Sequence, residues 1–300
     1  GAKALHTGVG WGALLVYIVS LRLCLGQLTQ LAQNLTNLNR FYPQLRRYQD
    51  FVMQAQIERS LPHLEPTKQQ WTIIADQRRA LPNSQSQLDL NFRDRLGLIT
   101  ATGLNRYTLA YKLDTLLKPD PDELASLLKA TAFVSSDYGE PPIPLPQFMG
   151  LDTNQQWPRM LATLHERGFN EEQLAPLQTM STTSPPPMED WISLDRGVRF
   201  ALALHMIRTE PPLWLLLDAV GLAAMNKQQR KIYLNDFSMC TTIICYPSNQ
   251  IQKVGLGDEP LFIALGHRSV IGIGSTHWVS QNELELISTL NEVAEKMGVA

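Results

Sequence analysis

The segment PPLWLLLDAVGLAAMN, residues 211–226, decides which fold the sequence predicts. Residues 214–217 are apolar and Asp218 follows them directly, which is typical of a buried strand that ends in one carboxylate at the edge of a sheet. The function of the chain depends on what this carboxylate holds.

The composition is that of a globular protein. The chain has 300 residues, 44% of them hydrophobic, and a formal net charge of -2. This is enough apolar material for one large core or two modest ones, and it excludes a mainly disordered protein. Basic and acidic residues are scattered without a basic patch, so no nucleic-acid partner is predicted.

The cysteines and histidines show no metal-ligand spacing. Cys24, Cys240 and Cys245 form no CxxC pair, and the six histidines include no HExxH pattern. We therefore predict reduced thiols and no metal site.

An apolar stretch near the start of the sequence predicts a membrane segment. Residues 9–26, VGWGALLVYIVSLRLCLG, are interrupted only by Arg22 and fall slightly short of the about 20 residues that an unaided span needs. Apolar residues then recur at steps of three and four, as on one face of a long helix: Leu28, Leu31, Leu35, Leu38, Tyr42 and Leu45. Basic residues typical of a cytoplasmic side follow at Arg40, Arg46 and Arg47. We predict one transmembrane and cytoplasmic extension helix over 1–60, with a buried amphipathic helix as the alternative.

Residues 61–300 predict a second domain of the α/β class. Two prolines in LPHLEPTKQQ, residues 61–70, end the preceding helix. Strand and helix patterns then alternate, which indicates a sheet with helices on its faces. Strands are predicted at 71–74, 88–92, 213–217, 241–246, 260–265 and 269–274, a strand–turn–helix unit at 95–117, and helices at 195–208 and 282–297. Helical patches, including DELASLLKATAF at 122–133, alternate with proline-rich loops in between and predict an inserted helical subdomain over about 119–208.

The order of these elements resembles one family. A helix leaving a membrane span, a strand–turn–helix unit, a helical insertion and an apolar strand ending in aspartate resemble the last span and the nucleotide-binding domain of an ABC exporter. The resemblance implies an α/β fold with a P-loop NTPase-like, ABC ATPase-like sheet, an inserted helical subdomain and a preceding long membrane-proximal helix. Residues 61–300 would then be a degenerate nucleotide-binding domain.

The P-loop of that family, GxxGxGKST, corresponds to TATGLNRYTL at residues 100–109. Gly103 and Thr108 match the motif, while Arg106 replaces its lysine. Bulkier residues occupy two glycine positions and the position of the magnesium-binding hydroxyl, namely Thr100, Asn105 and Tyr107. The resemblance thus implies a degraded nucleotide cradle formed by Gly103, Arg106, Thr108 and Asp218.

The remaining motifs of the family are also altered. In VSSD, 134–137, Ser136 stands where the Q-loop has glutamine, and in TTIICYPSN, 241–249, Pro247 stands near the switch histidine. The signature segment ISLDR, 192–196, keeps Ser193 but has Leu194, Asp195 and Arg196 where the family has glycines and glutamine. In LLLDAV, 215–220, Asp218 is kept and Ala219 stands where the catalytic glutamate belongs. The segment 258–275 resembles the family's closing segment closely.

These substitutions predict the loss of the family's chemistry. Bulk in the loop blocks the close approach of backbone N–H groups to phosphate, and a tyrosine is too long to bind Mg²⁺ from the position of a serine. Ala219 removes the group that polarises water, which is typically worth about 10² to 10⁴ in rate. Asp195 places a negative charge where the signature would face phosphate, partly offset by Arg196. We expect no catalytic residue, no tightly bound ATP or Mg²⁺, and a structural role for Asp218 in capping the turn after its strand.

The resemblance implies a membrane subunit with residues 61–300 in the cytoplasm. We expect a pseudo-ATPase that forms a homodimer, or a heterodimer with another ABC subunit, and acts as a dimerisation or regulatory platform in transmembrane transport. Two alternatives stay open at this point. One is a divergent but active ATP-driven ABC transport ATPase, and the other is a soluble α/β interaction domain unrelated to transport.

Overall fold

The computed structural model describes residues 16–22, 27, 70–102, 106–135, 141–180, 182–208 and 211–296. Contacts divide the chain into two units, Gly1–His63 and Leu64–Ala300. In the first unit, residues 16–22 are helical and exposed. Among the residues just given, no helix combines the length and the apolar character needed to cross a membrane. The rest of the helix predicted over 1–60, and also Gly103, Asn105 and Ser136, lie outside the described residues.

The second unit contains a mixed α/β arrangement with eight strands in its described part. The strands are β1 Gln70–Ile74, β2 Gln87–Asn91, β3 Arg95–Thr100, β4 Thr131–Val134, β5 Trp214–Asp218, β6 Thr241–Pro247, β7 Phe262–Leu265 and β8 Val270–Gly274. An antiparallel pair joins β1 and β2, and the other six strands form a sheet in the order β4-β5-β6-β3-β7-β8. Only β7 and β8 are antiparallel in that sheet. The predicted α/β sheet is therefore confirmed.

Eleven α-helices are described in this unit. They are α1 Arg106–Leu117, α2 Pro121–Lys129, α3 Leu145–Phe148, α4 Gln156–Glu166, α5 Glu171–Thr179, α6 Met188–Ser193, α7 Arg196–Arg208, α8 Ala219–Ala223, α9 Lys227–Asp236, α10 Ile251–Val254 and α11 Thr276–Lys296. A short 3₁₀ helix, Ser248–Gln250, follows β6 directly.

The sheet is buried on both faces, which explains the continuous apolar runs in its strands. Successive residues of a strand point to opposite faces, so the strands contribute alternately to two apolar clusters. One cluster, on the α7 face, includes Leu215, Leu217, Ile244 and Tyr246 together with residues of α4, α5, α7, α9 and α11. The other, on the α1 face, includes Trp214, Leu216, Ile243 and Cys245 together with residues of α1, α2 and the β1–β2 pair.

The centre of the sheet contains a topological switch point. Strand β3 lies between β6 and β7. The chain leaves β3 toward β4 at one edge, whereas it leaves β6 in the opposite direction and reaches β7 beyond β3. A crevice forms where two such connections diverge, at the carboxyl ends of β3 and β6, and this is where open α/β sheets usually bind ligands.

The predicted helical subdomain over about 119–208 needs a correction at its start. The patch DELASLLKATAF is helical only to Lys129, and Thr131–Val134 then form β4, an edge strand that pairs with β5. Tertiary pairing decides this short segment, because Ala130–Val134 fit either a helix or a strand by local pattern. The helices that intervene before the chain returns to the sheet are α3 to α6, and α7 already packs against β4.

Candidate functional site

Three side-chain donors form hydrogen bonds to backbone carbonyl oxygens in the turn after β3. The Thr100 hydroxyl donates to the Thr102 carbonyl oxygen at 2.6 Å, and the Lys112 ammonium donates to the same oxygen at 3.1 Å. The Ser248 hydroxyl, at the end of β6, donates to the Ala101 carbonyl oxygen at 3.2 Å. The first part of this turn is therefore held by the protein's own side chains at the carboxyl ends of β3 and β6.

Lys112 is a residue of this site that the sequence analysis missed. Its side chain comes from the sheet-facing side of α1, and the residue is only 7% exposed. Burial lowers the pKa of its ammonium to about 8, against an opposing effect of Cys245. The available signal was the stripe Leu109, Lys112, Leu113 and Leu116, in which a lysine occupies a position of the apolar helix face.

Asp218 ends β5, which β6 separates from β3, and it caps the following helix. Its Oδ1 accepts a hydrogen bond from the Val220 N–H at 3.0 Å, which makes Asp218 the N-cap of α8. In the sheet it pairs with Cys245 of β6. Ala219, the first residue of α8, is buried. The carboxylate thus bonds the backbone of its own turn.

We expect Asp218→Ala to lower the free energy of unfolding by about 1 kcal/mol, the usual value of an N-cap. Asp218→Asn is the matched control, because an asparagine oxygen accepts the same hydrogen bond and is an equally good cap. The measurement is urea denaturation of the 300-residue chain with each substitution. Equal losses for the two variants would contradict the capping role and indicate that the negative charge itself is needed.

The signature-like residues Ser193, Asp195 and Arg196 lie at the junction of α6 and α7. The Ser193 hydroxyl donates to the Asp190 carbonyl oxygen of its own helix at 2.7 Å. The Asp195 Oδ1 accepts from the Val198 N–H at 3.1 Å in the first turn of α7, and the Arg196 side chain is exposed. The Asp195 carboxylate therefore satisfies the N-terminus of α7, where a negative charge is favourable.

The end of β6 carries a buried polar pair, Tyr246 and Glu259. The Tyr246 hydroxyl donates to Glu259 at 2.8 Å and accepts from the Gly257 N–H at 3.0 Å. Burial raises the pKa of Glu259, and the Tyr246 hydrogen bond opposes this shift. Pro247 follows and pairs with Thr100 across β3 and β6. These hydrogen bonds join residues 257–259 to β6, whose end pairs with the end of β3.

Of the predicted cradle residues, the structure describes Arg106, Thr108 and Asp218. Thr100, Asp218 and Pro247 lie at neighbouring strand ends, joined there by Lys112 and Ser248. Arg106 is the first residue of α1, and Thr108 lies half-buried in its first turn. Gly103 lies outside the described residues. Within the described part of the chain, no group of His, Cys, Asp or Glu side chains could hold a metal ion.

Comparison with known proteins identifies no family. No protein-family model and no curated protein matches the sequence. Among solved structures, this chain is similar to a bacterial Atm1-family ABC exporter with ATP bound, at 14% sequence identity and a TM-score of 0.46. The alignment covers 76% of this chain and 43% of that exporter chain. The chain therefore spans less than half the length of the exporter that it resembles.

Proposed function

We propose that this chain is an ABC exporter-like membrane subunit with a pseudo-ATPase domain. Its role would be that of a dimerisation or regulatory partner, in a homodimer or with another ABC subunit, in transmembrane transport. Two observations support the proposal. The altered motifs follow one another in the family's order, and the strand that precedes the P-loop-like segment lies at the switch point of the sheet.

The pseudo-ATPase proposal rests on the side-chain hydrogen bonds to the turn after β3. A phosphate cradle needs a positively charged side chain that reaches the terminal phosphate. Here Thr100, Lys112 and Ser248 hold the carbonyls of Ala101 and Thr102 from below. The buried Lys112 ammonium donates a hydrogen bond to the turn itself, so we assign this positive charge a structural role.

The surroundings of Asp218 argue against hydrolysis as well. Its carboxylate caps α8, and the next side chain is the buried methyl group of Ala219. A methyl group cannot polarise an attacking water, and the loss of such a group typically costs about 10² to 10⁴ in rate. A nucleotide that did bind here would not be turned over efficiently.

The membrane part of the proposal rests on the first unit alone. In the helical residues 16–22, the apolar side chains are at least half exposed, namely Val16, Tyr17, Ile18, Val19 and Leu21. Contiguous exposed apolar surface of this kind calls for a lipid or protein environment. The basic residues that follow in the sequence favour a cytoplasmic location for residues 61–300.

Thermal unfolding of the 300-residue chain in mild detergent tests the nucleotide part. We expect millimolar Mg-ATP to leave the midpoint unchanged relative to magnesium sulfate at equal ionic strength. A ligand at about 100 times its dissociation constant would stabilise the folded state by about 2.7 kcal/mol and shift the midpoint by several degrees.

A magnesium-dependent shift that disappears in Asp218→Ala would contradict this proposal and favour the divergent active ATPase. Recovery of the whole chain in the aqueous fraction without detergent would contradict the membrane part. That second result would favour an α/β interaction domain unrelated to transport.

A further inference from the structure

We propose that Arg167 and Gln229 fasten helices α4 and α5 of the insertion to α9, so that the insertion and the sheet domain open as one unit. This joint lies away from the turn after β3 and does not depend on nucleotide binding. It is built from the two residues that follow α4 and from one face of α9.

Arg167 makes the charged part of the joint. Its Nη2 lies 2.7 Å from Oδ2 of Asp236, and the side chain is only 10% exposed. Its guanidinium also lies over the Tyr233 ring, 4.5 Å from the ring centroid. Stacking on an aromatic face and pairing with a carboxylate both suit the planar guanidinium, and a lysine reproduces neither geometry.

Gly168 makes the second part of the joint. Its carbonyl oxygen accepts a hydrogen bond from Nε2 of Gln229 at 2.9 Å, and Gln229 is buried. The φ angle of Gly168 is +90°, a conformation that side chains other than glycine rarely adopt, and it turns the chain from α4 toward α5. Gln229, Tyr233 and Asp236 are spaced by four and three residues, so they form one stripe along α9 that faces this turn.

These side-chain bonds matter because few backbone contacts join the insertion to the sheet. The most extensive backbone contact of α4 is with α5, and neither helix makes a comparable contact with a strand. Beneath the joint, Leu164, Phe169 and Leu177 are buried in the cluster on the α7 face. The apolar contacts bring the insertion onto the domain, and Arg167 and Gln229 set its position there.

The electrostatics explain why an arginine is stable at this buried place. Three helices end at the cluster: α4 at Glu166, α7 at Arg208 and α9 at Asp236. Positive charge is favourable at helix C-termini. Arg208 is the second cation, with its Nε 3.6 Å from the same Asp236 oxygen. Burial lowers the pKa of the neighbouring His205, and Arg208 and Arg167 lower it further.

The joint is sensitive to the loss of either ionic partner. Nη1 of Arg167 is buried without a hydrogen-bond partner, and the Asp236 carboxylate is the anion paired with this guanidinium. Removing one member of a buried pair leaves the other charge uncompensated.

Hydrogen–deuterium exchange of the 300-residue chain, read by mass spectrometry, tests the joint. In the unmodified chain, we expect α4 and α5 to be protected as strongly as β5 and β6. Arg167→Met keeps most of the side-chain volume but removes the charge, and we expect it to accelerate exchange over 156–180 by about tenfold or more while β5 and β6 stay protected. Asp236→Asn is the second, milder variant and should act in the same direction.

Arg159→Met is the matched control, because Arg159 lies on α4 and is exposed. It should leave exchange unchanged throughout the domain. The proposal is overturned if α4 and α5 exchange freely in the unmodified chain, or if neither substitution at the joint changes their exchange. It is also overturned if the joint variants accelerate exchange in β5 and β6 as much as in the insertion, because the bonds would then support the whole domain and not the attachment.

Discussion

Phe200→Ala is expected to lower the free energy of unfolding by about 3 to 5 kcal/mol, as is usual for a fully buried phenylalanine. Phe200 belongs to α7, and its side chain has no exposed surface. Its ring lies against Gly221 in α8, the helix that Asp218 caps. Removing the ring leaves a cavity between the helix that follows the signature-like segment and the helix that follows β5. Chemical denaturation monitored by circular dichroism measures the loss.

The close approach of Gly221 to Phe200 provides a second test of the contact between α7 and α8. A Cβ atom added at Gly221 would lie only 2.2 Å from Cδ2 of Phe200, so Gly221→Ala alone should destabilise the protein by about 1 to 3 kcal/mol through overpacking. In the Phe200→Ala background the same methyl group enters the cavity. In that background we therefore expect Gly221→Ala to lower the free energy of unfolding much less, or to raise it. A double-mutant cycle measures this coupling.

Met206→Ala serves as the control on the same helix, since Met206 is 39% exposed, and it should change stability by less than about 1 kcal/mol. Additive losses from Phe200→Ala and Gly221→Ala would contradict the contact between α7 and α8.

Lys112→Met is expected to change how stability depends on pH. Burial holds the pKa of Lys112 at about 8 in the folded chain, against about 10.4 in the unfolded chain. Between these values the unfolded chain binds more protons, so rising pH stabilises the folded state through this residue. Below the lower value both states carry the charge, and the folded state bears the full cost of burying it.

The unmodified chain should therefore gain about 2 kcal/mol relative to Lys112→Met between about pH 7 and about pH 9.5. Denaturant titrations of both chains across this range give the difference, in which the other titrating groups largely cancel. Burial raises the pKa of Cys245, which acts in the opposite direction in both chains. Lys129→Met, at an exposed lysine of α2, should show no such trend. A pH-independent difference for Lys112→Met would mean that the ammonium is not desolvated beneath the turn.

The local sequence pattern was sufficient to predict most strands of the sheet. The apolar residues 214–217 predicted β5 because a strand buried on both faces needs apolar side chains at every position. The strand–turn–helix unit at 95–117 was predicted for similar reasons, as apolar period and a turn residue are properties of neighbouring residues. Local pattern failed at residues 130–134, where a short apolar segment is compatible with a helix and pairing with β5 makes it a strand.

The contacts of the candidate site could not be predicted in the same way. Lys112 lies on the apolar face of α1, but its bonding partner is fixed only when α1 packs on the sheet and its ammonium reaches the Thr102 carbonyl oxygen. Arg167 and Asp236 are far apart in sequence, and only the packing of α4 on α9 makes them partners.

The amino-acid sequence by itself determined the alternation of strands and helices and the apolar content of both cores, because these depend on side-chain type and local spacing. The tertiary structure alone decided which polar groups bond the turn after β3, that the Asp218 carboxylate caps α8, and which helix holds the insertion. These features depend on distances between segments that are remote in the chain, and only the folded arrangement sets such distances.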